Sequence, residues 1–311
     1  MESLEQQTAV EQTAEGKYRG NVSEDWKLWA PVGGYLSGIA LRAAQSASNM
    51  ARPVSLTCHY LHEATFGSVD LEVTTLSVTE RADSHLVRMT QNGNDILVAL
   101  ATAAPTDLPG PNENWQEAPE VTEPEDMPGT LLYPDAAQLL GDQPYWKMLE
   151  FRMVKGMQPT HAYPDLSGLS EEELIERRFT PRRDAHIRGW QRIANGEGAK
   201  DPWVDACRYL IICAGMMFPV VADPFTPPLR FIAPTLNLTV DFHTFHPEDQ
   251  WLLADATGAH AGQGVLGADT RLWARSGDLL ATAQAQLTYH DFSDPKLMER
   301  LHKSWFALRE G

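Results

Sequence analysis

The sequence predicts an α+β fold made of two similar halves, each a long helix wrapped by a curved antiparallel sheet. Three observations predict it. A helical stripe followed by four strand-like segments occurs twice, in the same order. Residues agree between the copies: Ser55-Leu56-Thr57 resembles Asn237-Leu238-Thr239, 182 residues later. The last strand of each copy is rich in alanine and threonine, Ile96–Ala103 and Leu279–Gln286.

Taken in order, residues 1–22 read as a flexible acidic leader, since termini without an apolar anchor fray. Ordered chain is expected from Ser23, just before Trp26 and Trp29. Pro31-Val32-Gly33-Gly34-Tyr35 opens a helix over 34–48, with Leu36, Ile39, Ala40 and Ala43 on one face at helical spacing. Alternating residues then give strands at 54–62, 69–78, 85–91 and 96–104. Gln91-Asn92-Gly93-Asn94 joins the last two, because Asn-Gly tolerates the positive φ of a tight hairpin.

Residues 105–130 hold six prolines, seven acids and no Lys or Arg, an extended acidic linker. An inserted segment follows at 131–200. It carries a short helix at 170–178 capped by Ser170, and a strand at 186–193. The second half, 201–311, begins with a helix that Pro202-Trp203 opens and that runs over 204–218. Its strands are 236–243, 251–256, 265–275 and 279–290, with a hairpin turn at Arg275-Ser276-Gly277-Asp278. Ser293-Asp294-Pro295 caps a final helix striped by Leu297, Leu301, Trp305 and Leu308.

The alanines have a physical use. Ala99, Ala101 and Ala103 share one strand face, as do Ala281, Ala283 and Ala285. A sheet that curls around a helix must let the helix backbone approach, and alanine permits that. A helix in such a curled sheet is the hotdog architecture, and two copies in one chain make a double hotdog.

Composition excludes several functions. The net charge is −17, so nucleic acid and anionic membrane surfaces are not expected partners. No apolar run reaches the ~20 residues of a bilayer span; the longest, 209–221, is interrupted by Pro219. The polar start is no signal peptide, so a cytoplasmic protein is expected. Three unpaired-looking cysteines, Cys58, Cys207 and Cys213, give neither a disulfide framework nor a zinc site. His59/His62 and His243/His246 are each three apart, which puts the rings on opposite strand faces and argues against a metal. Serine-hydrolase elbow, P-loop and dinucleotide motifs are absent, and no cofactor is expected.

The chain resembles the acyl-CoA thioesterase II-like family of double hotdog proteins. The resemblance rests on Gly33-Gly34-Tyr35-Leu36, Ser55–Leu61 and Gln91-Asn92-Gly93 in the first half. In the second half it rests on Phe242-His243, Trp251-Leu252-Leu253, Gly264 and Gly277–Ala281. It implies hydrolysis of an acyl-CoA or acyl-carrier thioester by a water that an Asp, a Thr and a Gln position together, in a homo-oligomer. Carried over residue by residue, Thr235 takes the Thr position. Gly215 or Met216 stands at the Asp position, and Ala285 at the Gln position, flanked by Gln284 and Gln286. The nearest acid on that helix is Asp205, as catalytic base or as a helix-start acid favoured by the dipole.

The alternative activity is a non-hydrolytic protein that binds acyl or polyketide-like ligands. The expected substrate-binding set is Gly33, Gly34 and Tyr35 at a helix start, with His59 and Asn237 on the strands. To these are added Arg182 and Arg183, from a run of six arginines between 177 and 192 that would bind phosphate or pair with neighbouring acids.

Overall fold

The computed structural model describes residues 2–129, 143–155, 157, 184–194, 200–225 and 231–291. Its helices are α1 (Leu4–Gln7), α2 (Gly33–Ala47), α3 (Tyr145–Met148) and α4 (Pro202–Ala222). The first-half strands are β1 (Val10–Ala14), β2 (Lys17–Val22), β3 (Arg52–Tyr60), β4 (Gly67–Val78), β5 (Asp83–Gln91) and β6 (Asn94–Ala104). Next come β7 (Leu149–Met153), β8 (His186–Ile193), β9 (Phe231–Ile232) and β10 (Thr235–Phe242). The chain continues through β11 (Leu252–Gly262), β12 (Val265–Trp273), β13 (Leu279–Thr288) and β14 (His290–Asp291).

Twelve strands form one sheet in the order β1-β2-β4-β5-β6-β3-β10-β13-β12-β11-β8-β7. The strand pairs are antiparallel, and the sheet is continuous across the two halves where β3 meets β10. At that seam Thr57 lies opposite Thr239, Leu56 opposite Val240 and Cys58 opposite Leu238. The Thr57 and Thr239 hydroxyls are 3.1 Å apart. Thr57 and Thr239, 182 apart, therefore sit opposite one another on a pseudo-two-fold axis, the double hotdog anticipated from the repeat. Each half wraps its own helix: β3–β6 pack on α2, and β8 with β11–β13 pack on α4. The alanines of β6 and β13 that were expected to face the helices are buried.

The two helices touch beneath the seam. A Cβ on Gly34 would stand 2.7 Å from the Leu210 carbonyl oxygen and 2.9 Å from the Ala214 Cβ. Glycine is thus required there by the backbone of α4. Asp201 caps α4, its carboxylate accepting from the Trp203 N–H at 2.9 Å, with Pro202 at the first helical position. The helix runs through Pro219 to 21 residues, and so is long and apolar enough to cross a membrane, contrary to the sequence expectation. It is buried among the strands of its own half.

Two further expectations are corrected. Residues 4–22 are not a flexible leader. β2 pairs with β4, Tyr18 and Val22 are buried, and Gln7 accepts from the Trp26 indole at 2.9 Å. The alternation of Tyr18, Gly20 and Val22 is the strand signal. The acidic linker is not free either. Ala118, Val121 and Met127 pack on Trp190, Trp251, Leu253 and Trp273, a small core separate from the main one. The Trp190 indole donates to the Thr122 carbonyl at 2.9 Å, and Arg275 pairs with Glu123 and Glu125. Residues 114–127 form a strap across the second half of the sheet. The expected helices at 170–178 and from Ser293 onward lie outside the described residues.

Candidate functional site

The start of α2 meets the seam between the halves. No side chain caps the helix, so the partial positive charge of its first turn is not neutralised locally. Tyr60, the last residue of β3, lies against Gly33: a Cβ there would come 3.1 Å from the phenol carbon. The Tyr60 hydroxyl donates to the Gly33 carbonyl at 3.1 Å and accepts from Ser37 Oγ at 2.6 Å. Tyr60 and Ser37 therefore fix where the helix begins. Burial raises the Tyr60 phenol well above its ordinary value, which keeps it a donor.

Thr235 arrives from the other half. Asn237 lies opposite His59, which brings the start of β10 alongside Tyr60. A bulge at Leu236 shifts the β10–β13 register, so Thr235 pairs with the buried Leu287 while Asn237 pairs with the exposed Gln286. The bulge turns the Thr235 side chain to the helix side of the sheet. Aromatic rings surround this end: Phe218 lies edge-on to Trp29 at 6.4 Å and to Phe231 at 6.1 Å, and Phe231 lies 5.1 Å from Tyr289.

The other expected residues fall elsewhere. Tyr35 is fully buried and is no ligand group. It stacks on Trp26 at 5.3 Å, and its hydroxyl donates to the Gln7 carbonyl at 2.7 Å. Asp205 is 1% exposed and bound to its own helix. Its carboxylate accepts from Arg208 Nε at 2.9 Å and from the Tyr209 hydroxyl at 2.7 Å. Burial pushes the Asp205 carboxyl up against the pull of Arg208 and Tyr209. Arg208 also donates to the carbonyls of His246 and Asp249, beyond the far end of β10. Seven residues of strand, about 23 Å at ~3.3 Å per residue, separate Phe242 from Thr235. Asp205 thus holds the 246–249 loop and is not a base for Thr235.

Gln284 and Gln286 point to the outer face of the sheet, where Gln284 donates to Asp269 at 3.0 Å and Gln286 accepts from Asn237 at 2.9 Å. The inward residue between them is Ala285, buried. Neither glutamine can act at Thr235. His59 and Asn237 are on that same outer face, so they do not line the interior site. Arg182 and Arg183 lie outside the described residues. Two other arginines of that run are engaged: Arg188 with Asp255 at 2.9 Å, and Arg192 with Glu150 at 2.9 Å and over the Trp251 ring at 4.7 Å.

Sequence reasoning missed Tyr60 and Tyr145. The Tyr145 hydroxyl lies 3.0 Å from where a Gly215 Cβ would be, so the space beside the helix that a side chain at 215 would take is occupied by a phenol. Tyr60 carried a signal as the last aromatic of a strand that follows a Gly-Gly helix start. Tyr145 carried none, because its segment shows no periodic pattern.

Residues 118–289 match the acyl-CoA thioesterase C-terminal domain family, and residues 22–104 match the acyl-CoA thioesterase N-terminal domain family. The chain belongs to the acyl-CoA thioesterase family. No curated protein matches this family member. Among solved structures it is similar to a conserved hot dog fold protein of unknown function from Alicyclobacillus acidocaldarius, at 18% identity and TM-score 0.73, over 92% of this chain and 97% of that one. It is similar to acyl-CoA thioesterase II TesB2 from Mycobacterium marinum, at 17% identity and TM-score 0.70, over 93% and 99%. The dehydratase domain of PpsC from Mycobacterium tuberculosis, solved with C12:1-CoA, matches at 12% identity and TM-score 0.52, over 93% and 100%. At these identities the likeness shows the double hotdog fold of the thioesterase family member.

Proposed function

We propose that the chain binds an acyl-CoA or acyl-carrier thioester with its carbonyl at the start of α2, and that water cleaves it there without a covalent intermediate. The observation that carries this is the uncapped Gly33-Gly34 helix start, held by Tyr60, next to an inward Thr235. As water attacks, charge develops on the carbonyl oxygen. Helix-start amides stabilise such charge because they are already oriented and need no reorganisation. The Thr235 hydroxyl would orient the water. The C–O bond forms, the C–S bond breaks, and the proton of the water ends on the departing thiol. The aromatic rings around Phe218 and Phe231 suit an acyl chain.

A second reading is favoured by Ala285, Gly215 and the engaged Asp205: binding of the thioester with little or no cleavage. Thiol release from short, medium, long and aromatic acyl-CoAs distinguishes the two, together with a binding titration of each. Cleavage predicts release by the wild type, lowered about 10-fold to 100-fold by Thr235→Val, as expected for loss of one positioning group. Binding of an acyl-CoA with no release selects the second reading. No binding and no release across the panel sinks both.

A further inference from the structure

Tyr145 is a polar side chain in an apolar place that nothing above uses. It reaches the helix pair from the segment between the halves, its backbone N–H donating to the Lys27 carbonyl at 3.1 Å. It is 6% exposed, with its ring 5.2 Å from Trp146. The hydroxyl stands against α4 at Gly215. Gly215 follows Ala214, the residue of α4 that touches Gly34 at the start of α2. The phenol and the helix start therefore meet neighbouring points of one helix. No hydrogen bond to the Tyr145 hydroxyl is made among the described residues. Burial of the ring raises this phenol far above its ordinary value. It stays protonated and is available as a hydrogen-bond donor beside α4.

We infer that the Tyr145 hydroxyl donates a hydrogen bond to the carbonyl oxygen of the bound acyl thioester, opposite the start of α2. The inference rests on the thioester reading of the site. It deepens that reading by naming a side-chain donor from the inter-repeat segment. No bond is made or broken by Tyr145, and its proton remains on the phenol throughout. Its role is polarisation of the carbonyl, which serves binding and cleavage alike.

One alternative role is structural. Pro219 has no N–H to give the Gly215 carbonyl four residues earlier, which leaves that carbonyl as the competing acceptor for the phenol. The test compares Tyr145→Phe with wild type against two uncleavable CoA analogues. One is a ketone, with CH2 in place of sulfur; the other lacks the carbonyl oxygen altogether. Loss of the donor predicts about 10-fold weaker binding of the ketone, the worth of one hydrogen bond to a polar ligand group, and unchanged binding of the carbonyl-free analogue. Where the wild type releases thiol, kcat falls about 100-fold in Tyr145→Phe, the usual loss for one such donor. Equal effects on both analogues, or none, overturn the inference, and a lowered melting temperature with undisturbed discrimination assigns Tyr145 to Gly215. Binding of neither analogue by the wild type removes the thioester reading itself, and the inference with it.

Discussion

Gly34 shows how one residue can look functional for one reason and be required for another. A glycine at a helix start suggests access to the amides, yet its missing side chain is what lets α4 pass. A Cβ at 2.7 Å from the Leu210 carbonyl forces the helices apart, because backbone cannot swing away as a side-chain tip does. Gly34→Ala is therefore expected to lower stability by about 1–3 kcal/mol in urea denaturation; a midpoint equal to wild type would mean that the helix contact is not tight. The residue types of the site were partly legible in sequence. Gly33 was, because a Gly-Gly turn is a local pattern, whereas Thr235 was named only through the family resemblance. The inward turn of Thr235 was not, since it depends on a bulge whose extra residue is defined only against β13. Asp205 read either as a base or as a helix-start acid from its place on the helix, and its bonds to Arg208 and Tyr209 give it a structural role. Gln284 and Gln286 failed by the parity of the strand: the residue between them faces inward.

At the scale of elements, the hairpins, α2, α4 and the expected strands other than β11, which ends six residues later, lay within a few residues of their expected positions, because each carries its own periodicity or turn residues. Asn92 and Gly93 do adopt positive φ, 53° and 82°, as the turn at 91–94 requires. What the sequence hid were segments that owe their structure to distant partners. β2 is a short strand that exists because β4 offers it an edge. The strap at 114–127 reads as an acidic linker until the Trp190, Trp251 and Trp273 rings are seen beneath it. Burying a carboxylate among those rings should release it: Val121→Asp is expected to make 105–127 the first site of limited proteolysis while the rest of the fold survives. If the wild type and the variant are cut at the same rate, the strap is not held by this packing.

At the scale of the whole molecule, neither half is closed on its own. The first half alone would expose the β3 edge and the face of α2 that rests on α4. Residues 1–104 expressed alone are therefore expected to aggregate or to lack the dispersed NMR spectrum of a folded domain. Co-expression with 105–311 should recover a soluble, folded pair. A monomeric, well-dispersed 1–104 fragment would show that the seam is an accessory and not part of the fold. The proposed site depends on this joining, since Gly33 and Tyr60 come from the first half and Thr235 from the second.

The Thr57–Thr239 pair has one more consequence. An axis through two matched hydroxyls is what remains when the subunits of a symmetric dimer become a single chain. In such a dimer every substitution appears twice, so neither of two identical clefts can change without the other. Fusion ends that constraint. The counterpart of the α2 start is the start of α4, and it is there that Asp205, Arg208 and Tyr209 tie down a loop. In this chain the start of α4 is taken up by those loop contacts, while the start of α2 has no side-chain cap, so the two related ends can differ in role.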